Sequence, residues 1–205
     1  MELLNYNQII LNELKLNQPI FDHDKDIFIS ELVKDDIKIG IKGVNFKCIN
    51  INNNELNLEF LFSNSNFYTL MMDLDKYVKE QIVTNGSEWF GNKLNENTIN
   101  NIYKCSINLP NKIPALPYIR FICSDECKII KKRKKISLSE LNKNMELEID
   151  FVIDGVCYYK NKCHLQYTIV SIKVINDICQ SFESLFNDSE EDNDVDNDIS
   201  ISTNK

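Results

Sequence analysis

Residues 147–159 read LEIDFVIDGVCYY, and residues 163–175 read CHLQYTIVSIKVI. At the start of the first segment, apolar residues alternate with carboxylates, which is the two-residue period of a half-buried strand. Asp154-Gly155 predicts a turn, because these residue types favour turns. Lys160–Lys162 predicts a second turn, across which the two segments pair. This stretch therefore indicates a β-rich C-terminal half.

Further strands are predicted upstream of this region. Residues 37–41 alternate isoleucines with lysine and glycine, and residues 46–51 and 56–62 flank an asparagine-rich turn. The second arm of this hairpin is expected to point four side chains inward: Leu56, Leu58, Phe60 and Phe62. Residues 118–123 and 128–130 add two more strands after a proline-rich link. We expect five to seven short strands in all.

Two helices are predicted between the hairpin and the proline-rich link. Apolar residues from Phe67 to Ile82 recur every three or four positions, with charged residues on the other face. Asn85-Gly86 predicts the end of this helix, so Trp89 and Phe90 are expected in a polar loop. A second helix is predicted over Glu96–Lys104. The expected fold class is therefore mainly β (α+β), with one or two helices packed against the strands.

Composition limits the class of protein. The chain has 205 residues, of which 43% are hydrophobic and 26% charged, as in a globular domain. It has no apolar run of about 20 residues and no signal peptide at its start, so membrane and secreted proteins are not expected. The number of cysteines, seven, is odd. We therefore expect reduced thiols and an intracellular protein.

Charge is distributed unevenly along the chain. The net charge is −8, yet residues 99–175 carry 13 Lys and Arg against seven Asp and Glu, a net charge of +6. Residues 187–205 carry seven acids and one lysine. So polar a segment cannot bury enough surface to fold, which predicts a disordered acidic tail. We expect one domain over residues 1–186, closed by a short amphipathic helix after Ile178, and a tail over 187–205.

The basic half of the chain combines cations with aromatic residues. Six cations fall between Lys128 and Lys135, and Arg120 lies nearby. Proteins that bind single-stranded nucleic acid pair a cationic groove with aromatic faces on which bases stack. Two other interpretations stay open: the basic run is a solvated loop or a nuclear-localisation signal, and Trp89 is a core anchor. Because Tyr158 and Tyr159 are adjacent on a strand, only one of them can be exposed.

Catalytic and metal sites are weakly indicated. The chain has only two histidines and five glycines, and contains neither a nucleophile–His–acid set nor a glycine-rich phosphate loop. Cys123-x3-Cys127 with Cys163-His164 could supply four zinc ligands, but the x3 spacing is not that of a zinc knuckle. We therefore expect a non-enzymatic protein without a cofactor or metal.

The order of these features resembles the single-stranded-DNA-binding proteins of nucleocytoplasmic large DNA viruses, which are similar in design to phage single-strand binders. The resemblance rests on Met72–Val78 in the helix, the Trp89–Lys93 segment, the proline-rich link, Asp154-Gly155 and the acidic tail. Composition fits it, because the 28 Asn, 28 Ile and single Ala indicate an AT-rich genome, as is common in such viruses. The resemblance implies an OB-like β-barrel with an acidic C-terminus and a role in viral DNA replication, recombination or repair.

The predicted function is sequence-independent binding of single-stranded DNA by basic and aromatic side chains on a barrel face. The predicted nucleic-acid-binding residues are Trp89, Phe90, Tyr118, Arg120, Lys131, Lys132, Arg133, Lys134, Lys135 and Tyr158. Further expected partners are replication proteins, through the tail, and a homo-oligomer is left open. The expected location is the host cytoplasm or nucleus. The alternative is a viral structural or interaction protein with a β scaffold and an acidic docking tail.

Overall fold

The structure, a computed structural model, describes residues 1–110 and 116–177. These residues form two α-helices, α1 (Ser65–Phe90) and α2 (Glu96–Ile102). They also form twelve strands: β1 (Glu2–Leu4), β2 (Leu14–Leu16), β3 (Ile20–Asp22), β4 (Ile27–Ser30), β5 (Leu32–Lys34), β6 (Ile37–Asn52), β7 (Glu55–Phe60), β8 (Ile107–Asn108), β9 (Tyr118–Lys131), β10 (Lys134–Lys135), β11 (Glu146–Tyr159) and β12 (Lys162–Asn176). The mainly β (α+β) class is confirmed. Four of the strands are much longer than the short strands predicted.

Five strands close into a barrel. The pairing runs β6–β7–β9–β12–β11, and β11 pairs back to β6. The β9–β12 pair is parallel, and the other four pairs are antiparallel. Closure leaves these five strands without a free edge. Inside lies an aromatic core in which Phe121 and Phe151 meet at 4.9 Å between ring centroids.

Shorter N-terminal strands extend the barrel on the outside. β4 pairs with β11, and β3 pairs with β4. The register sets Phe28 opposite Tyr158 and Phe21 opposite Phe28. The β3–β4 hairpin therefore continues the sheet beside the β11–β12 turn, where it brings additional aromatic residues.

Helix α1 packs against the barrel through its apolar stripe. Phe67, Met71, Leu74, Val78 and Ile82 are all buried, and Phe67 lies 5.8 Å from the Phe46 ring. The recurrence of buried residues every three or four positions along α1 confirms the predicted amphipathic helix.

A buried carboxylate also fixes α1 to the strands. Asp75 accepts hydrogen bonds from the Tyr103 hydroxyl at 2.7 Å, the Ser106 amide at 2.8 Å and the Ser106 hydroxyl at 2.6 Å. The Ser106 hydroxyl in turn meets that of Tyr167, which lies inside the barrel. Because these donors satisfy it, Asp75 can be buried, although burial raises its pKa above the ordinary value.

The predicted turn at Asp154-Gly155 is wrong. β11 runs through both residues, with a bulge between Ile153 and Gly155. Gly155 has a φ of 126°, and a Cβ there would lie 2.1 Å from the Ser30 carbonyl oxygen. Glycine is therefore required by the close approach of β4, and not by a reversal of the chain.

The predicted end of the first helix at Asn85-Gly86 is also wrong. α1 continues to Phe90 and ends at Gly91, which adopts the left-handed conformation with a φ of 68°. Gly86 is buried instead, and a Cβ there would lie 3.0 Å from Leu94. Trp89 and Phe90 therefore belong to the last helical turn and not to a polar loop.

Two side chains that were predicted to be buried are exposed. Phe62 is 90% exposed because β7 ends at Phe60, so the alternation does not extend to it. Ile37 is 46% exposed at the very start of β6. Residues 178–186 and the predicted acidic tail, residues 187–205, lie outside the described part of the chain. Neither α1 nor α2 is long and apolar enough to cross a membrane.

Candidate nucleic-acid interface

A groove of about 430 Å³ opens at one end of the barrel. It lies between the C-terminal end of α1, helix α2, the β3–β4 hairpin and the β11–β12 turn. We call it the aromatic groove, and its lining residues are Phe21, Asp26, Ile27, Phe28, Ile82, Phe90, Leu94, Ile99, Ile102, Tyr158, Lys160, Asn161, Lys162 and Cys163. Three separate segments of the chain thus contribute aromatic or basic side chains to one concave surface, and α2 contributes isoleucines.

Aromatic rings are partly exposed along this groove. The rings of Phe90 and Tyr158 meet edge to face at 5.5 Å, and those of Phe21 and Phe28 at 5.0 Å. Phe28 is 48% exposed and Phe90 is 37% exposed. Part of each ring is therefore open to solvent, where a planar base could stack.

Tyr158 is held in place by its hydroxyl group. The Ser30 hydroxyl donates a hydrogen bond of 3.2 Å to the Tyr158 oxygen. Burial raises the pKa of Tyr158, so its side chain stays neutral. Tyr159 points to the other face and is 49% exposed, as expected for neighbours on a strand.

The cations of the groove come from the β11–β12 turn. Lys160 adopts a left-handed φ of 51°, and its ammonium lies 4.9 Å from the centre of the Tyr159 ring. Lys162 begins β12 and is exposed. Among the described residues, Asp26 is the only carboxylate in the lining. The groove therefore offers aromatic faces beside an excess of positive charge.

The basic run forms a separate structure, which we call the basic hairpin (Lys131–Lys135). β10 pairs with the end of β9 across Lys132-Arg133, both of which have positive φ. Lys131 makes an ion pair of 2.6 Å with Asp177 and is mostly buried. Arg133, Lys134 and Lys135 are exposed.

The aromatic groove and the basic hairpin lie at opposite ends of β12. Lys162 lines the groove, whereas Val174 pairs with Lys131 of the hairpin. At a rise of about 3.3 Å per residue, the strand between them is at most about 40 Å long. The predicted binding residues are therefore not gathered into one patch.

Other predicted site residues occupy intermediate positions. Tyr118 and Arg120 lie on the outer face of β9, and Arg120 makes an ion pair of 3.7 Å with Glu55. Trp89 is half-buried against the core, 6.3 Å from the Phe90 ring. Of the predicted residues, only Phe90 and Tyr158 line the aromatic groove.

Sequence reasoning missed four of the six aromatic and basic residues that line the groove. Lys160 and Lys162 were assigned only to a turn, although two cations directly after a Tyr-Tyr pair are a usable signal. Phe21 and Phe28 carry no such signal. They reach the groove only because β3 and β4 pair onto β11, more than a hundred residues later in the sequence.

The zinc alternative has no assembled ligand set. Cys123 lies beside a bulge of β9, whereas Cys163 is buried at the start of β12. His164, next to Cys163 on the strand, faces outward. Within residues 1–110 and 116–177, no cluster of three or more His, Cys, Asp or Glu could hold a metal ion.

No family model matches the chain, and a search of curated proteins finds no match. Among solved structures, the chain is similar to the single-stranded DNA-binding protein from bacteriophage Enc34, with a TM-score of 0.43, 10% identity and coverage of 80% of this chain and 90% of that chain. The same phage protein in complex with ssDNA gives a TM-score of 0.39, 11% identity and coverage of 80% and 96%. The C-terminal truncation of the phage protein gives a TM-score of 0.41, 10% identity and coverage of 82% of this chain and 98% of that chain. Because these TM-scores are below 0.5, we base the functional assignment on the side chains of this chain.

Proposed function

We propose that this protein binds single-stranded DNA without sequence preference and without catalysis. The observation that carries the proposal is the aromatic groove, where the partly exposed rings of Phe28 and Phe90 lie beside Lys160 and Lys162. Stacking on aromatic side chains tolerates any base, because every base has a π-face. The cations would neutralise backbone phosphates, which gives affinity but carries no sequence information.

We also propose that the barrel is of the OB type. It has five strands, closes through the β6–β11 pairing and contains one parallel pair. OB-folds are five-stranded barrels that bind oligonucleotides on a strand face and its adjoining loops. The long amphipathic helix between β7 and β9 covers part of the core of this barrel.

The bound strand would run from the aromatic groove toward the basic hairpin. Tyr118 and Arg120 lie on the outer face of β9, which runs parallel to β12 between the two ends. A path of about 40 Å corresponds to about six nucleotides of an extended single strand, whose phosphates lie farther apart than the roughly 3.4 Å per strand of a duplex. This is within the range of about 4–16 nucleotides per OB-fold.

The biological role that we propose is viral DNA replication, recombination or repair. It rests on the sequence resemblance described above, which also suggests replication proteins as partners of the acidic tail.

Phe90→Ala, compared with Phe62→Ala, tests the proposal. Phe62 is the matched control because it is 90% exposed and lies just before α1, whose 26 residues separate it from Phe90 by about 40 Å. Stacking contributes about 1–3 kcal/mol per base, so Phe90→Ala should weaken binding of oligothymidine about 5- to 150-fold. Phe62→Ala should leave it unchanged, as measured by fluorescence anisotropy. Equal affinities for the two variants would refute the proposal that DNA binds in the aromatic groove. Absence of binding by the native chain would favour a viral structural or interaction protein.

A further inference from the structure

A second, smaller pocket lies on the outer face of the barrel. Its volume is about 150 Å³, and it is bounded by β7, β9, β12 and the segment that follows α2. We call it the cationic pocket, and its lining residues are Glu55, Lys104, Cys105, Ser106, Asn108, Arg120, Ile122, His164, Leu165, Gln166 and Tyr167. Of these, only Arg120 was predicted to bind nucleic acid.

Three basic side chains converge on this pocket from three elements. Lys104 follows α2, and its amide donates a hydrogen bond of 2.8 Å to the Cys163 carbonyl, which fixes it beside β12. Arg120 comes from β9 and His164 from β12, and these two strands are adjacent and parallel. Within the described part of the chain, Glu55 is the only carboxylate in the lining, and it lies 3.7 Å from the Arg120 guanidinium. The pocket therefore has an excess of positive charge.

The pocket is next to the aromatic groove. Lys162 and Cys163 line the groove, and the next residue of β12, His164, lines the pocket. A strand that leaves the groove past Lys162 would reach the pocket at the next outward-facing position, His164.

We infer that the cationic pocket binds one phosphodiester group of the DNA strand, with Lys104, Arg120 and His164 as its ligands. This inference rests on the proposed function and assigns two binding residues, Lys104 and His164, that the sequence did not indicate. The volume suits a single phosphate group better than a base with its sugar. Arg120 would exchange its partly exposed ion pair with Glu55 for the phosphate, a geometry that guanidinium favours.

The electrostatics of His164 support the site and give it a specific signature. Burial lowers the pKa of His164, and the positive charges of Lys104 and Arg120 lower it further. Glu55 on β7 and the Cys105 thiol, whose pKa is raised by burial, are the other titratable groups that face the pocket rim. Tyr167 lies at its inner side and stays neutral, because burial raises its pKa.

A bound phosphate reverses the balance of charge around His164. It favours the imidazolium form, so the pKa of His164 rises on binding and a proton is taken up. Affinity must then increase as the pH falls through the interval between the free and the bound pKa. A rise of one pKa unit corresponds to a tenfold gain in affinity.

NMR titration of the full chain gives a local test, because the chain has only two histidines, His23 and His164. The spectrum of His164→Gln assigns the two imidazole signals. We expect dimethyl phosphate, a phosphodiester probe whose charge is constant near neutral pH, to raise the pKa of His164, and the His23 signal serves as the internal reference. An unchanged His164 pKa at saturating oligothymidine would overturn the inference.

Affinity measured against pH separates the inference from the proposed function. We expect the native chain to bind oligothymidine up to about tenfold more tightly at about pH 5.5 than at about pH 8. His164→Gln should lose this gain. His23→Gln is the control and should keep the gain, since the His23 ring contacts Phe21 of the groove but not the pocket. Binding that is tight but equally pH-dependent in His164→Gln would refute the pocket alone, whereas no binding at any pH would refute the proposed function.

Discussion

Neutralising Arg133, Lys134 and Lys135 is expected to weaken the binding of long oligonucleotides and to leave short ones unaffected. The reason is geometric, because these exposed cations lie up to about 40 Å from the aromatic groove, measured along β12. Even as a fully extended single strand, an oligothymidine of about five nucleotides is shorter than this distance, so it cannot reach both sites. One of about 16 nucleotides can.

The size of the effect follows from counterion release. Each phosphate neutralised on a single strand contributes about −0.7 to the slope of log affinity against log salt. Three lost contacts should therefore flatten the slope for the long oligothymidine by about 2. Between about 50 and 200 mM salt, the native chain should therefore lose about 20-fold more affinity than the triple variant. Lys131 is left unchanged, because its ion pair with Asp177 already neutralises it.

The assay is fluorescence anisotropy with both oligothymidines at several salt concentrations. Lys15→Gln, Lys38→Gln and Lys42→Gln combined make the matched control, since they remove the same charge from strands β2 and β6. If the slope of log affinity against log salt is unchanged in the triple variant for the long oligothymidine, the basic hairpin is a solvated turn or a nuclear-localisation signal. Equal weakening of short and long oligothymidines would refute the extended path.

Three further predictions concern the fold and the tail. Gly155→Ala should destabilise the protein by at least about 2 kcal/mol, because a Cβ would lie 2.1 Å from a neighbouring carbonyl oxygen; Gly43→Ala, with nothing within 4 Å, should cost less in the same denaturant titration. Burial raises the pKa of Asp75 above its unfolded value of about 3.9, so its contribution to stability is complete below that pH and is lost as the pH rises through the folded pKa. Asp75→Asn should remove this loss, seen as a flatter plot of unfolding free energy against pH. Truncation after Phe186 removes an acidic competitor and should tighten binding several-fold at low salt, a gain that shrinks above about 0.3 M; identical curves at low salt would contradict it.

The spacing of apolar residues predicted those strands and helices in which one face of the element is buried along its length. The alternation around Leu56 and Leu58 and the helical spacing from Phe67 to Ile82 each report one buried face, and the structure confirms both. Asp154-Gly155 and Asn85-Gly86 misled for a shared reason. Each glycine is required by a close contact that its residue type does not reveal: Gly155 lies against Ser30 of β4, and Gly86 lies against Leu94, just beyond the end of α1.

The candidate site was predictable only in part for the same reason. Phe90 and Tyr158 were singled out as aromatic residues in a basic half, and they do meet in the groove. The residue types alone could not indicate that Phe28 pairs opposite Tyr158, or that the segment after α2 pairs with β12 at Cys163 and so brings Lys104 beside His164. Nor could they indicate that the basic hairpin lies at the far end of β12.

Titration of a labelled oligothymidine of about 16 nucleotides with the full chain, followed by fluorescence anisotropy at about 50 mM salt, tests single-strand binding most directly. We expect saturable binding that is much tighter than binding of a duplex of the same length, because bases in a duplex cannot stack in the aromatic groove. An anisotropy that does not change up to micromolar protein, or equal affinities for the single strand and the duplex, would contradict the proposal.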